Sequence, residues 1–279
     1  MGLRIGTNVT ALNAQRALWG TKTGMDRAMA RLSSGSRINK ASDDAAGLAI
    51  SENMRAQIRG LKQANRNAQD GISMIQTAEG SLSEVGNMLI RLRELGVQAA
   101  SDTIGDRERA LANVEYSQLL EEIDRVAGST EFNGTPLLSG VGGFLDFQVG
   151  VRNSQEFDRI SVNTAESDAT AMALGIDMTN VLDKVSAQNS LGVIDNAINS
   201  VNRLRANFGA IQNRLNTTVE SLQTNLENLA AANSRIRDAD IADESSELAK
   251  QSILLQAGTS VLTQANQQPQ LALSLLNKG

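Results

Sequence analysis

Ile194-Asp195-Asn196-Ala197-Ile198-Asn199-Ser200-Val201 opens a run in which an apolar residue returns at every seventh position: Ile194, Val201, Phe208, Leu215, Leu222, Leu229 and Ile236. Ile198, Leu204, Ile211, Val219 and Leu226 form a second line beside the first. An α-helix brings residues seven apart back to nearly the same side, so these returns specify a helix packed lengthwise on other helices. It is expected to begin near Ser186–Leu191.

The same spacing governs the chain upstream. Leu61, Ala68, Ile75, Leu82 and Leu89 occupy one heptad position, and Ala64, Gly71, Ala78, Val85, Leu92 and Ala99 the position three later. Ser42 reads as an N-cap, with Asp43 and Asp44 in a first turn where the helix dipole favours carboxylates. Unbroken from Asp43 to Ala100, this helix would be roughly 85 Å long at about 1.5 Å per residue, although its interior glycines permit a kink. A third helix is expected from Asp106 to Val126, ended by Gly128. Phe132-Asn133-Gly134-Thr135-Pro136 has turn chemistry. Phe144, Phe147 and Val149, then Ile160 and Val162, predict a small β-hairpin near 143–162. Residues 163–184 carry no assignable pattern.

The two ends read differently. Ile5, Val9, Leu12 and Trp19, continued by Met25, Met29 and Leu32, mark a first helix that Ser33-Ser34-Gly35-Ser36 interrupts. Near the other end Ile241, Leu248, Leu255 and Leu262 recur at sevens, and Gln251–Asn277 contains no charged residue. Pro269 is expected to break that helix. A helix with an apolar stripe and no charged face has little to hold it monomeric in water. Residues 1–42 hold seven cations against Asp26 alone, a balance of +6, whereas residues 238–279 balance at −3. The ends are therefore electrostatically complementary. Two helices alone make a thin core, so Ile5, Val9, Leu12, Leu248, Leu255 and Leu262 are candidate self-assembly residues.

Composition agrees. Among 279 residues only 3% are aromatic and two are proline, while 41% are hydrophobic. That balance suits helices packed through aliphatic side chains. The expected fold is mainly α: an elongated antiparallel helical bundle or coiled-coil hairpin, with a small β-hairpin region at the far end. The chain has no Cys and no His, which removes thiol nucleophiles, disulfides, Cys/His zinc sites and imidazole bases. A net charge of −5 argues against general nucleic-acid binding. Gly140-Val141-Gly142-Gly143 lacks phosphate-loop spacing and leads into a strand. Asp43-Asp44 reads as helix capping rather than a carboxylate dyad. Asp238, Asp240, Asp243 and Glu244 lack the glycine and spacing of a calcium loop. No catalytic, cofactor or metal residues are assigned, and neither an enzyme nor membrane insertion is expected. No apolar core of leader length follows Arg4, so export would proceed without a removable leader.

The motifs then carry a resemblance. Ala28-Met29-Ala30-Arg31-Leu32-Ser33-Ser34-Gly35, Arg37-Ile38-Asn39 and Asp43-Asp44-Ala45-Ala46-Gly47-Leu48-Ala49-Ile50 resemble bacterial flagellin. So do Arg66-Asn67-Ala68-Gln69-Asp70-Gly71-Ile72-Ser73, Gln76-Thr77-Ala78-Glu79-Gly80, Gln212-Asn213-Arg214-Leu215, Ser234-Arg235-Ile236 and Gln264-Ala265-Asn266-Gln267. The resemblance implies an inner filament core from residues 1–42 and 240–279. Around it would lie a helical rod with a hairpin from 43–172 and 185–239, joined by a short 173–184 segment with no large outer domain. It implies a self-assembling filament subunit for swimming, exported unfolded and located outside the cell. The implied partners are further copies of the chain, the flagellar export apparatus, an export chaperone, the filament cap, hook-junction proteins and an animal innate-immune receptor. For that receptor the matching positions are Arg91, Leu95 and Glu115. A hook–filament junction protein and a soluble coiled-coil adaptor are the alternatives.

Overall fold

The structure is a computed structural model that describes residues 7–276, with side chains described for residues 7–268; Ile5 lies outside this range. In chain order it comprises α1 (Val9–Ser34), α2 (Ala45–Ala99), α3 (Asp106–Ser129), β1 (Glu131–Phe132), β2 (Thr135–Pro136), β3 (Phe144–Gln148), β4 (Arg159–Asn163), α4 (Ala171–Leu174), α5 (Lys184–Arg237) and α6 (Ile241–Leu276). The fold is mainly α, as the heptads predict. It divides into two compact units, one spanning Gln57–Glu227 and one formed by the two ends, up to Ala56 and from Asn228.

In the central unit, α2, α3 and α5 enclose a continuous apolar core. Ile75, Leu82, Val85, Leu89 and Leu92 of α2 are fully buried, as are Ile194 and Leu215 of α5, with Val201 and Phe208 nearly so. The heptad reading of both helices therefore places the core correctly. Lys184 pairs with Asp102 at 2.7 Å, Asp195 with Arg93 at 2.7 Å, and Arg205 with Glu79 at 3.8 Å. Numbers rise along α5 as they fall along α2, so the two helices are antiparallel. The corner between α2 and α3 is closed by Arg109, whose side chain is buried. Its guanidinium donates to the carbonyls of Ala99 (2.9 Å) and Ser101 (3.0 Å) and to Asp106 Oδ1 (2.8 Å). A cation there satisfies carbonyls that a helix C-terminus leaves without internal partners.

Residues 163–184, unassignable from pattern, pack onto α3. Ala169, Ile176 and Val181 are buried, Asp124 Oδ1 accepts from Ala171 N at 2.7 Å, and Asn113 Oδ1 accepts from Val181 N at 3.0 Å. Tyr116 is buried as well, with its hydroxyl 2.7 Å from Thr179 Oγ1. Burial raises its pKa above the ordinary phenol value, against the opposing effect of Thr179 and Ser190. The expected hairpin is the antiparallel β3–β4 pair, with Phe144 opposite Asn163 and Gln148 opposite Arg159. It docks on α2 where Asn67 Nδ2 donates to Gln148 O at 3.0 Å. A second small hairpin, β1–β2, turns through Asn133 (φ 51) and Gly134 (φ 76). Two successive left-handed residues make the tight turn that Asn-Gly favours.

In the terminal unit, α1 and α6 pack together, and the linkers that follow α1 and precede α6 are stitched to each other. Ser36 and Asp238 form an antiparallel bridge, Arg37 N donates to Arg237 O at 2.6 Å, and Ala239 N donates to Gly35 O at 3.0 Å. Arg237 also pairs with Glu52, which Arg55 holds from the other side.

Several boundaries differ from expectation. The cap of α2 is Asp44, whose Oδ1 accepts from Gly47 N at 2.8 Å, and not Ser42. Asp43 instead receives the backbone N–H groups of Lys40 and Asn39, which lower its carboxyl pKa. Asp can bond the backbone in either role, and the position that faces Gly47 decides between them. Gly128 lies inside α3, α5 starts at Lys184, and α6 continues through Pro269 to Leu276.

The core assignment is testable by equilibrium denaturation. Leu89→Ala, at a fully buried site, should cost about 2–5 kcal/mol. Leu111→Ala, at a site 68% exposed, should stay within about 0.5 kcal/mol. Equal losses would contradict the placement of α3.

Candidate assembly interface

The contact between α1 and α6 mixes small residues with half-buried aliphatic ones. On α1 the residues turned inward are Ala11, Ala14, Leu18, Thr21, Gly24, Met25, Ala28 and Leu32, of which only Ala11 and Ala28 are fully buried. On α6 the half-buried residues alternate at four and three: Leu248, Gln251, Leu255, Gly258, Leu262, then the buried Ala265. This is heptad packing. Gly258 lies close against Leu18, since a Cβ there would stand 2.6 Å from Leu18 Cδ2 and the leucine would have to shift. Gln251 lies over Gly24.

Polar contacts fix the register at both ends of this seam. Arg31 Nη1 meets Glu244 Oε1 at 2.8 Å, with both side chains largely covered. The complementary charge of the two chain ends is thus realised within one molecule. At the opposite end Asn8 acts twice. Its Oδ1 accepts from Ala11 N at 3.1 Å as the N-cap of α1, and its Nδ2 donates to Ala265 O at 2.8 Å. Ala265 O is the carbonyl to which a residue at 269 would normally donate, and proline has no N–H to offer. The amide of Asn8 fills that gap, which accounts for a helix that passes through Pro269.

The structure separates the candidate assembly residues into two groups. Leu248, Leu255 and Leu262 face α1 and are half-buried. Val9 and Leu12 are 55% and 53% exposed, and Trp19 is 76% exposed. The large apolar residues of α1 therefore divide, with Leu18, Met25 and Leu32 turned toward α6 and Val9, Leu12, Trp19 and Met29 outward, where a single apolar face is expected. The seam-forming alanines and glycine were invisible to a search for large hydrophobes. On α6, Ile253 and Val261 are 66% and 56% exposed. Paired as they are, the two helices still present apolar side chains on their outer sides.

Of the three receptor-matching positions, Arg91 and Glu115 lie together, with Arg91 Nε 2.7 Å from Glu115 Oε1 and Arg91 Nη1 2.9 Å from Glu94 Oε2. The Glu115 hydrogen bond, followed by that of Glu94, raises the Arg91 pKa. Leu95 is 2% exposed and belongs to the core. Heptad geometry turns it inward with Leu92 and Ala99. Two open grooves are polar. One of about 310 Å³ is bounded by Leu61, Val149, Arg159, Arg214 and Leu222, and one of about 480 Å³ by Arg31, Glu244, Glu247 and Lys250. Among the described residues no helix is long and apolar enough to cross a membrane.

Residues 5–142 match the bacterial flagellin N-terminal helical region, and residues 191–276 match the bacterial flagellin C-terminal helical region. A flagellin of Halalkalibacterium halodurans is 47% identical over 272 residues, covering 98% of this chain and 99% of the relative. The flagellar filament 33 kDa core protein of Treponema phagedenis is 44% identical over 288 residues, covering 98% and 99%. The crystal structure of Bacillus cereus flagellin superposes with a TM-score of 0.51 at 31% identity, over 60% of this chain and 94% of that one. A putative flagellar hook-associated protein from Vibrio parahaemolyticus shares the fold, with a TM-score of 0.57 at 16% identity, over 70% of this chain and 100% of that one. With both helical regions matched in order and relatives aligned over nearly its whole length, the chain belongs to the bacterial flagellins.

Proposed function

We propose that this chain is a structural subunit of the bacterial flagellar filament used for swimming, exported unfolded and polymerised through its terminal helices. One observation carries the reading: α1 and α6 pair along one seam yet leave Val9, Leu12, Trp19, Ile253 and Val261 exposed. Apolar surface of that extent on paired helices is a binding surface. Further copies of the same chain are the partners that suit it, and relatives of this length include a filament core protein. The family is a structural one, so the chain's chemistry is association rather than catalysis.

In this reading residues 1–42 and 240–279 form the inner tube. Residues 43–172 and 185–239 form the surrounding rod with its hairpin, and 173–184 connects them. An unpaired terminal helix buries too little to offset its ordering entropy, so folding of the ends is coupled to addition at the growing tip. That coupling keeps subunits apart before export and supports passage through the export apparatus, with a chaperone covering the ends beforehand. The filament lies outside the cell, where a cap and hook-junction proteins bound its two ends. The exposed Arg91–Glu115 pair is the part of the surface offered to an animal innate-immune receptor, while Leu95 supports the shape of that surface from within.

Purified chain returned to assembly conditions should form filaments visible by electron microscopy, whereas a chain lacking residues 245–279 should remain monomeric. Equal polymerisation by the truncated chain would overturn the role of α6. Separately, Arg91→Ala and Glu115→Ala should each reduce signalling by receptor-bearing cells about ten-fold or more, the scale of a lost interface anchor, with unchanged helicity. Full signalling by both variants would remove the receptor assignment.

A further inference from the structure

We propose that Asn133 is a site of spontaneous chemical modification, at which the folded chain converts asparagine into aspartate and isoaspartate through attack by the Gly134 nitrogen. Asn133-Gly134 is the only Asn-Gly pair in the chain. Glycine has no Cβ to shield its backbone nitrogen, and a Cβ built at 134 would meet nothing within 4 Å. Both residues are exposed. Among the described residues, neither the Asn133 side chain nor the Gly134 N–H has a hydrogen-bond partner. Other asparagines that precede small residues are held. Ser154 N donates to Asp158 Oδ2 at 3.1 Å, and Asn153 Oδ1 accepts from Arg159 Nη2 at 2.6 Å. Asn163 Nδ2 donates to Glu166 Oε1 at 2.8 Å, while Thr164 N donates to Gly143 O at 3.1 Å. Asn189-Ser190, Asn199-Ser200 and Asn233-Ser234 lie inside α5, where each following N–H is committed to the helix ladder.

Only a short hairpin restrains Asn133. Its strands pair as Glu131 with Pro136 and Phe132 with Thr135, and Pro136 brings no N–H to the ladder. A hairpin of that size opens locally at little cost, which releases both residues from their left-handed conformation and lets the nitrogen reach Cγ. Base removes the Gly134 amide proton, the nitrogen bonds to Asn133 Cγ, and the Cγ–Nδ2 bond breaks as ammonia leaves with a proton from water. Water then opens the cyclic imide. Cleavage at the side-chain carbonyl gives aspartate, and cleavage at the main-chain carbonyl gives isoaspartate, with Cγ now in the backbone. Nothing is oxidised or reduced. Either product adds a carboxylate close to the exposed Glu131. Isoaspartate also lengthens the turn just before Leu137 and Leu138, which are buried in the core, and Leu137 N donates to Thr130 O at 3.0 Å. The change therefore reaches the corner where α3 ends. It proceeds within a single folded chain and needs no second copy.

The test follows the full-length soluble chain at mildly alkaline pH over days. Peptide mass spectrometry maps the amide-to-acid mass gain, and an isoaspartyl methyltransferase scores isoaspartate. Asn133 should convert about ten-fold or more faster than Asn153 and the α5 asparagines, which must wait for local opening. In chain unfolded by urea, Asn153 and the α5 sites should speed up, while the rate at Asn133 should change by less than about three-fold. Asn133→Gln, whose longer side chain would have to close a larger ring, should abolish the fast phase. Comparable rates at all these sites in the folded chain would overturn the proposal. A many-fold acceleration of Asn133 on unfolding would also overturn it, because the turn would then be protecting the residue. A fast phase that persists in Asn133→Gln would place the reactive site elsewhere.

Discussion

Two helices laid side by side can cover only one stripe on each other, and that limit governs the terminal unit. The α1–α6 seam joins Ala11, Ala28, Gly258 and Ala265 with leucines such as Leu18, Leu248, Leu255 and Leu262 that stay only half-buried. Further large side chains, Leu12, Trp19 and Ile253, are left on the outer sides. The central unit is not under that limit. There three helices enclose a common core, and α2 and α5 bury their heptad residues almost completely. The contrast is one of helix number rather than of hydrophobicity. A fully covered bundle is self-sufficient, whereas a bare pair requires further helices, and the family to which the chain belongs supplies them as further copies.

Within the terminal unit, polar contacts settle register more than they add stability. Surface ion pairs contribute little individually, yet Arg31–Glu244 and the two hydrogen bonds of Asn8 fix the seam at opposite ends. The bridge from Ser36 to Asp238 and the pairing of Arg237 with Glu52 tie the linkers beside it. Hydrogen bonds from Arg237 and then Arg55 hold the Glu52 carboxyl below its ordinary value of 4.5. A carboxylate depressed on folding stabilises the folded form above its unfolded pKa, and that contribution is lost as pH falls through the lowered folded value. Acid therefore removes whatever Glu52 contributes to the joint.

The architecture of the long helices was legible because leucine, isoleucine and valine at sevens can hardly serve anything but a helical core. Ile75, Leu82, Leu89, Ile194 and Leu215 are where that pattern places them. Alanine and glycine carry no such signal, since they are compatible with any face, so the seam of α1 was legible at Met25 and Leu32 but not at Ala11, Gly24 and Ala28. Leu95 shows the converse: a family motif names it beside Arg91, while its heptad position turns it inward. The 163–184 segment could not be read because its folding depends on distant partners, Asp124 and Asn113 of α3, rather than on local periodicity. Pro269 was misread for the same reason, since the group that compensates for its missing N–H is the side chain of Asn8.

The central claim is that the outer sides of α1 and α6 become buried when copies assemble. Amide hydrogen exchange, read by mass spectrometry on soluble chain and on filaments, addresses it directly because protection reports how rarely each helix opens. Residues 8–34 and 241–268 should gain protection by orders of magnitude on assembly, while the core of 57–227 should change little. Equal protection of the terminal helices in both forms would contradict the account.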